Sequence, residues 1–378
     1  MEYIKRPIKG MDISTLIEQE ECGAVYYDDG KRKDLFRILS RYGVDSIRLR
    51  LWNDPYDEKK NPYGAGTCDL KKVIALAKRA KNAGMTWLLD FHYSDFWADP
   101  GKQYPPKAWK DYDASSLEKA VYDYTQSVLL RCIEEEVPPF MVQVGNEITN
   151  GMLWPLGHRE YNKPEDAPKD YFNPVLKDLL NAGIKAVRDT LPEAIVMLHL
   201  DNGGNNELYR NWFDGYFKCG GADFDVIGLS YYPFWHGRLG DLSNNMNDIA
   251  LRYHKELVVD EVSMGYTTDD YASYEGLTPD LRKGMATKEN LLSNLDFPMT
   301  PLGQCNFMIK INDIIDSVPD NLGKGYYYWE PAWIPRKGCG WATDASLEYI
   351  HDKGPCGNEW ANQALFDYDG VALPALKV

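Results

Sequence analysis

Long apolar runs and an excess of basic charge are both missing from this chain of 378 residues. No segment approaches the 18 or more consecutive apolar residues of a membrane-spanning helix, so the sequence predicts no membrane span. Lys and Arg number 42 against 57 Asp and Glu, which gives a formal net charge of −15 and a pI near 4.9. Because such a field repels phosphates, the composition argues against nucleic acid as a partner and favours a neutral substrate.

Closely spaced cysteines and a signal segment are also missing. The seven Cys are scattered and include no C-x-x-C pair, so neither a zinc site nor a dense disulfide framework is predicted. The predicted first strand begins near Lys9, and the preceding MEYIKRPI has no apolar h-region. We therefore expect a cytoplasmic protein if the chain is complete as given, or an exported one whose signal has been removed.

Apolar and aromatic residues are present in good supply. Hydrophobic residues make up 44% of the chain and charged residues 26%, an ordinary globular balance that allows one large core. Aromatic residues reach 13%, with 11 Trp and 26 Tyr. A cleft that stacks the flat faces of sugar rings would use them, and core packing is an equally good explanation.

Strand-like runs alternate with helical patterns along the whole chain. This alternation predicts a parallel sheet, and eight strands with intervening helices close a (β/α)8 TIM barrel. Length alone does not require a second domain, so we expect residues 1–378 to form a single catalytic barrel domain. The runs are KGMDIS (9–14), SIRLRLW (46–52), TWLLDFHY (86–93), FMVQVGNE (140–147), AIVMLHLDNG (194–203), FDVIGLSYYP (224–233), ELVVDEVS (256–263) and GYYYWEPAW (325–333).

The predicted helices carry their own start and stop signals. Asp69 precedes a helix with apolar residues at helical spacing that ends at Gly84, and Pro174 stands just inside the start of another. Long segments rich in Trp, Tyr, Asp, Gly and Pro follow strand ends at 93–113 and 334–363. Their position predicts long loops at the C-terminal, catalytic face of the barrel.

Three of the predicted strands run into a carboxylate, at Asp90, Glu147 and Glu261. The strands that carry Glu147 and Glu261 are the fourth and seventh, so the two side chains would face each other across the barrel mouth. Retaining glycoside hydrolysis needs an acid to protonate the departing oxygen and a carboxylate, roughly 5–5.5 Å away, to attack the sugar. The pattern therefore indicates a glycosidase.

The second carboxylate has an acidic neighbour, Asp260, and strand geometry makes them alternatives. Side chains alternate along a strand, so Leu257, Val259 and Glu261 share one face while Val258 and Asp260 share the other. We therefore expect only one of the two acids to point into the pocket. The spacing alone does not decide which.

Other polar residues are predicted to collect at the same mouth. Arg48 could hold a carboxylate ionised, Asn146 could donate to a sugar 2-hydroxyl, and Tyr232 could donate to the nucleophile. Simpler structural roles compete with these. Arg48 and Arg50 suit a polar layer inside a barrel, His92 suits a strand end with satisfied hydrogen bonds, and Trp329 and Trp333 suit a core as well as a sugar-stacking floor.

Seven longer motifs are spread along the chain, and they are IRLRLWNDP (47–55), LLDFHYSDFWADPGKQ (88–103), VQVGNEITNGMLWP (142–155), HLDNG (199–203), GLSYYPFWHG (228–237), YYYWEPAWIP (326–335) and NQALFDYDG (362–370). With these motifs the chain resembles glycoside hydrolase family 53, the endo-β-1,4-galactanases. The resemblance extends from about Asp12 to Leu376.

The resemblance implies a retaining barrel enzyme that cleaves the β-1,4-galactan side chains of pectin internally to galacto-oligosaccharides. It matches Glu147 to the acid/base and Glu261 to the nucleophile. No cofactor is implied, and a monomer acting on galactan is expected. Residues expected to bind substrate or support the site are Arg48, Asp90, His92, Trp97, Asn146, Asn202, Tyr232, Trp329 and Trp333.

The chain departs from the family pattern at two places. The segment VVDEVS has Asp260 where an apolar residue is usual, and no role for this acid is apparent from the sequence. Bacterial relatives can hold calcium with an Asp and a Ser where this chain has Ala361 and Asn358, so calcium binding is doubtful. Asp269 and Asp270 are weak candidate ligands, and a disulfide between Cys339 and Cys356 is a possible replacement clamp.

Two alternatives remain open on the sequence alone. One is a related barrel enzyme that cuts β-mannan or β-glucan, and the other is a barrel that binds glycans without cutting them. The second alternative requires a broken catalytic pair, whereas both Glu147 and Glu261 are present. Product length, and internal rather than terminal cleavage, depend on loop shapes that the sequence leaves undetermined.

Overall fold

The predicted eight-stranded parallel barrel is confirmed in the computed structural model, which describes residues 3–269 and 289–378. Every predicted barrel strand is present within a few residues of its expected bounds. A short antiparallel ribbon, β2 and β3, was not predicted. The strands are β1 (Ile8–Asp12), β2 (Tyr26–Asp28), β3 (Lys31–Lys33), β4 (Ser46–Leu51), β5 (Thr86–Phe91), β6 (Met141–Val144), β7 (Ile195–Leu200), β8 (Val226–Tyr231), β9 (Glu256–Val262) and β10 (Gly323–Trp329).

Helices follow the barrel strands, and their first turns use the caps expected from sequence. The Asp69 side chain accepts from Lys72 N, and the Asn173 side chain accepts from Val175 N one residue before Pro174. The helices are α1 (Leu16–Glu21), α2 (Leu35–Arg41), α3 (Leu70–Asn82), α4 (Ala114–Glu134), α5 (Pro174–Thr190), α6 (Asn206–Lys218), α7 (Leu239–Tyr253), α8 (Glu289–Leu292), α9 (Pro301–Asp316) and α10 (Asp344–Tyr349).

Barrel closure follows chain order. From β4 to β10, each strand pairs in parallel with the one that follows it in sequence. The barrel is closed by β1, which pairs with both β4 and β10. All barrel strands therefore deliver their C-terminal ends to the same mouth, where the candidate site residues lie.

The two faces of each strand carry different side chains. On β5, Leu89 and Phe91 point outward into the main core shared with the helices, whereas Leu88 and Asp90 point into the barrel. Inward side chains are apolar near the N-terminal ends of the strands and polar near their C-terminal ends. The apolar inner layer closes the barrel floor and consists of Ile8, Leu88, Met141, Ile195, Met197, Val226, Val258 and Tyr327, with Ile4 packed below.

The possible disulfide between Cys339 and Cys356 is not formed, and all seven cysteines are free thiols. Cys339 is buried, and its Sγ accepts from Gln19 Nε2 at 3.0 Å, while Cys356 is exposed. Within residues 3–269 and 289–378, no helix is both long enough and apolar enough to cross a bilayer.

Candidate active site

A bulge in β9 decides where its two acids point. Leu229 of β8 pairs with Val259, but the next residue, Ser230, pairs with Glu261, so Asp260 is an extra residue in the ladder. The pairing of β9 with β10 shifts at the same place. The prediction that the two acids lie on opposite faces of the strand is therefore wrong, because a bulge breaks strand alternation and turns both side chains into the barrel. Of the two, only Glu261 reaches the cavity at the barrel mouth, as expected.

Arg48 is the centre of the inner polar layer. Its guanidinium lies 2.8 Å from Asp12 Oδ2, 3.0 Å from Asp90 Oδ2, 3.0 Å from Asp260 Oδ2 and 2.9 Å from Glu261 Oε1. The arginine and three of these acids are fully buried, and Glu261 is nearly so. Asp260, which had no role in the sequence, is thus a buried partner of the same cation that contacts the candidate nucleophile.

A second buried arginine, Arg50, stands one layer nearer the mouth. It contacts Glu330 Oε1 at 2.7 Å and Asp12 Oδ1 at 3.3 Å, and its guanidinium lies over the rings of Trp97 and Trp329 at 4.5 and 5.7 Å. Such cation–π contacts fix the aromatic rings that line the cavity. Arg50 therefore connects the buried charges with the sugar-sized space above them.

The buried acids outnumber these two guanidinium groups, so they cannot all be ionised. Burial raises the pKa of Asp260 to about 8 and that of Glu330 to about 7, although Arg48 and Arg50 oppose the shifts. Burial also opposes ionisation of Asp90, but Arg48 and His92 hold the pKa of this acid below its ordinary value. Charge is thus divided unequally among neighbouring carboxyl groups.

Glu147 does not lie on β6, as the sequence suggested, but three residues beyond its end. Gly145 and Glu147 adopt left-handed backbone conformations with φ of 85° and 45°, just after the strand ends at Val144. A side chain at Gly145 would meet Ile148 Cγ2 at 2.6 Å, so this position needs glycine. Left-handed backbone at a non-glycine residue costs free energy and often marks a functional residue.

The Glu147 carboxyl group is buried against neutral and acidic neighbours. Its Oε1 accepts from Ser230 Oγ at 2.6 Å. Burial, followed by the nearby charges of Glu261 and Asp201, raises its pKa well above the ordinary value, and the Ser230 hydrogen bond opposes this rise. Glu147 is therefore suited to carry a proton at neutral pH.

The Glu261 carboxyl group has different neighbours. Its Oε2 accepts from Tyr232 OH at 2.6 Å, and its Oε1 contacts Arg48 at 2.9 Å. Burial raises its pKa, whereas Arg48 and Tyr232 act to lower it. Both carboxyl groups accept from a hydroxyl, but among the residues that the structure describes only Glu261 also contacts a cation, and this cation favours its ionised form.

Above the two carboxyl groups lies a cavity of about 440 Å³ with strongly aromatic walls. Trp97 and Trp333 have ring centroids 6.5 Å apart, and Trp329 lies 4.9 Å from Trp360. Of the predicted site residues, the cavity is lined by His92, Trp97, Asn146, Glu147, Tyr232, Glu261, Trp329 and Trp333. Apolar ring faces beside converging polar groups are well suited to bind sugar rings.

Three predicted residues do not form part of the cavity wall. Arg48 and Asp90 lie beneath it in the polar layer, where they act on residues that do line it. Asn202 lies on the loop after β7, and its Nδ2 donates to Asp201 Oδ2 at 2.7 Å. Its neighbour Asp201 is one of the acids whose charge raises the pKa of Glu147.

His92 and Asn146 are held in place by protein partners. His92 Nδ1 accepts from Trp52 Nε1 at 3.2 Å and from Ala98 N at 3.0 Å, so its proton is on Nε2, 3.1 Å from Asp90. Asn146 Oδ1 accepts from Arg48 at 2.8 Å, which leaves the amide nitrogen directed at the cavity side, where it donates to Ala98 O. One further N–H of this amide is available for a sugar hydroxyl.

Several residues of the site were not singled out in the sequence, chiefly Ser230, His199 and Glu330. All three lie within motifs of the family resemblance, at or next to inward positions near strand ends. A polar residue at an inward strand position close to the barrel mouth is the signal that would have found Ser230 and His199. Glu330 follows β10 with a φ of 50°, which the sequence does not reveal.

The positions that the sequence linked to calcium are Ala361, Asn358, Asp269 and Asp270. Ala361 has no side-chain oxygen, and Asn358 Oδ1 accepts from Trp360 N at 3.1 Å while its Nδ2 donates to Trp333 O. Asp269 is exposed, and Asp270 lies outside the described residues. In the described part of the chain, no three His, Cys, Asp or Glu residues are grouped as metal ligands.

Two carboxyl groups with unequal surroundings, set at the mouth of a (β/α)8 barrel beneath aromatic walls, serve the chemistry of glycoside hydrolases. This fold and this pair define the class of enzyme. Within that class, the chain belongs to glycosyl hydrolase family 53, whose family model matches residues 8–378.

Individual relatives agree with this assignment. The endo-beta-1,4-galactanase of Bacillus subtilis (strain 168) is 37% identical, covering 98% of this chain and 85% of that protein. The arabinogalactan endo-beta-1,4-galactanase of Cellvibrio japonicus (strain Ueda107) is 35% identical, covering 97% and 88%. Among solved structures, the GH53 catalytic domain of Ignisphaera aggregans superposes with a TM-score of 0.86 at 38% identity, covering 98% and 94%.

Proposed function

We propose that this chain is a retaining endo-β-1,4-galactanase in which Glu147 is the acid/base and Glu261 the nucleophile. The proposal is carried by the unequal surroundings of the two carboxyl groups. Glu261 contacts Arg48 and Tyr232, whereas Glu147 accepts from Ser230 and has no ion-pair partner within the described ranges. This difference supports a neutral acid beside an ionised nucleophile, as double displacement requires.

In the first step, Glu147 gives its proton to the glycosidic oxygen while an oxygen of Glu261 attacks the anomeric carbon. The bond between that carbon and the glycosidic oxygen breaks, and the departing sugar leaves with a new hydroxyl group. The other sugar stays bound as an ester of Glu261. Arg48 and Tyr232 hold the Glu261 carboxylate in position for attack.

In the second step, Glu147 acts as a base. It takes a proton from water as the water oxygen attacks the anomeric carbon, and the ester bond to Glu261 breaks. Glu147 is then protonated and Glu261 ionised again, so the enzyme is ready for another cycle. Two inversions at one carbon give a product with the anomeric configuration of the substrate.

The galactan specificity is supported by relatives that carry the galactanase name, not by a pocket shape specific to galactose. The aromatic walls and the formal charge of −15 suit an uncharged polysaccharide. Cleavage within the chain would release galacto-oligosaccharides. We propose further that hydrolysis needs no cofactor, so activity should survive dialysis against EDTA.

Substrate choice can be tested with galactan, mannan and β-glucan supplied at equal mass, with Glu261→Gln as the inactive control. We expect reducing ends to appear fastest from galactan, and oligosaccharides of mixed length to precede short products. Faster release from mannan or β-glucan would refute the galactan assignment. Galactan binding with no release by the parent enzyme would instead indicate a barrel that binds without cutting.

A further inference from the structure

The Ser230 hydroxyl links the proposed acid/base to a buried histidine. Ser230 Oγ donates to Glu147 Oε1 at 2.6 Å, and His199 Nε2 lies 2.8 Å from the same Ser230 oxygen. All three side chains are buried, with His199 and Ser230 fully inaccessible. We propose that Ser230 and His199 are positioning residues that keep one hydrogen-bond donor directed at Glu147 throughout the catalytic cycle.

The direction of the hydrogen bonds from His199 through Ser230 to Glu147 follows from the other ring nitrogen of His199, Nδ1. Glu147 N donates to His199 Nδ1 at 3.4 Å, and Gln143 Nε2 lies 3.1 Å from it, so Nδ1 faces two donors. Nδ1 therefore accepts, and the ring proton is on Nε2. That proton points at Ser230 Oγ, which leaves the Ser230 proton for Glu147.

One oxygen near His199 Nδ1 does not change this assignment. Asn146 Oδ1 lies 3.1 Å from the ring nitrogen, but it already accepts from Arg48 at 2.8 Å and from Gln143 Nε2 at 3.1 Å. The Gln143 orientation is fixed as well, because its Oε1 accepts from Arg48 Nε at 3.2 Å. The amide network thus orients the imidazole ring.

His199 stays neutral, so the hydrogen bonds from His199 to Ser230 and from Ser230 to Glu147 keep their direction over the working pH range. Burial lowers the pKa of His199 well below its ordinary value, and Arg48 lowers it further. The other charged or titratable groups that face the ring do not reverse this shift. They are Asp90, His92, His236 and Asp260, the last with its Oδ2 at 3.6 Å from Nδ1.

A fixed donor favours the ionised form of Glu147. The groups that face this carboxyl from other elements, Glu261 on β9, Asp201 after β7 and Asp99 after β5, all raise its pKa. The Ser230 hydrogen bond opposes them. Ser230 therefore keeps Glu147 from becoming too weak an acid, and it supports the carboxylate that must act as base in the second step.

This inference rests on the proposed role of Glu147, and kinetics can test it. In Ser230→Ala, the loss of a donor to the carboxylate should raise the pKa of Glu147 further. The basic limb of the kcat/KM profile should then move upward by about one pH unit, because a hydrogen bond to a charged group is worth about that shift. The acidic limb, which reports Glu261, should stay in place.

The matched control is Ser263→Ala. Ser263 is also a fully buried serine near the mouth, and its Oγ donates to Gln363 Oε1 at 2.7 Å, away from both carboxyl groups. Its profile should match that of the parent in both limbs. Ser230→Thr, which retains the hydroxyl, should restore the basic limb toward that of the parent.

His199 supplies a second pair of variants if Ser230→Ala does not fold. His199→Gln can still donate to Ser230, whereas His199→Leu cannot. We expect a basic limb near that of the parent for the first variant and an upward shift for the second. Thermal melting of each purified variant identifies any that is unfolded.

An unshifted basic limb in both Ser230→Ala and His199→Leu would overturn the proposal. So would an equal shift in Ser263→Ala. These results are distinct from failure of the proposed function. A parent enzyme that cuts another glycan instead of galactan would refute the galactan assignment, and the same pH profiles would then be measured on that glycan.

Discussion

Arg48 contacts four carboxyl groups, and one guanidinium cannot hold four close carboxylates ionised. Asp260 is the acid that remains protonated at neutral pH, since burial raises its pKa to about 8, whereas the pKa of Asp90 is lowered. A neutral Asp260 leaves Arg48 available to the Glu261 carboxylate. The acid without an apparent role in the sequence thus helps to set the charge of its neighbour.

This division of charge predicts how stability depends on pH. Below about pH 4 the Asp260 carboxyl is protonated in both the folded and unfolded protein. Between about pH 4 and pH 8 the Asp260 carboxyl is ionised in the unfolded protein but still protonated in the folded protein. The free energy of unfolding therefore falls as pH rises toward the folded pKa of about 8. Asp260→Asn removes this loss. The free energy of unfolding of the variant minus that of the parent should therefore increase by at least about 1 kcal/mol between pH 5 and pH 8.

Urea unfolding at the two pH values measures the effect, and Asp90→Asn is its counterpart. The pKa of Asp90 is lowered by Arg48 and His92 against the effect of burial, so its stabilisation is present above the unfolded pKa. Asp90→Asn should therefore be less stable than the parent at both pH 5 and pH 8. An Asp260→Asn variant with the same pH dependence as the parent would contradict the assigned charge state.

At the scale of elements, helix caps are the part of the fold that local sequence controls most directly. Asp113 precedes α4, and its side chain accepts from Ser116 N at 2.8 Å. Asp113→Ala should lower the free energy of unfolding by about 1 kcal/mol without changing kcat, because the cap lies on the barrel exterior. Urea unfolding measures the loss. Asp111→Ala, at an exposed site nearby, should cost less, and equal costs would show that the cap contributes nothing.

Elements with strong local patterns could be predicted, whereas departures from regularity could not. The eight strand runs, the Asp69 cap and the Pro174 start depend on residues close in sequence, and each is found in the structure. The β9 bulge depends on how β8 and β10 hold the strand from both sides. A rule of strict alternation therefore placed Asp260 and Glu261 on opposite faces, and that prediction was wrong.

The site, like the fold, could be predicted from the sequence only in part. Glu147 and Glu261 could be singled out because acids at strand ends are unusual and the barrel brings them together. The links among Ser230, His199 and Glu147 join three different strands or strand ends. Such contacts follow from barrel closure, and spacing along the chain does not encode them.

At the scale of the whole molecule, the closed barrel brings the ends of its strands and the loops that follow them to one mouth, and together they line the cavity. That residues 1–378 act as a single domain and as a monomer stays a prediction from the sequence. The apolar barrel floor and the polar layer above it separate two tasks, because the first supplies stability and the second sets charges at the mouth.

The central claim is that Glu261 is the residue that becomes bonded to sugar. Incubation with a 2-deoxy-2-fluoro-β-galactoside carrying an activated leaving group should trap the ester, since the fluorine slows its hydrolysis. Peptide mass spectrometry of the trapped enzyme should locate the added sugar on Glu261. Sugar found on Asp260 or Glu147 instead, or an enzyme that turns the compound over without ever forming an ester, would contradict the account.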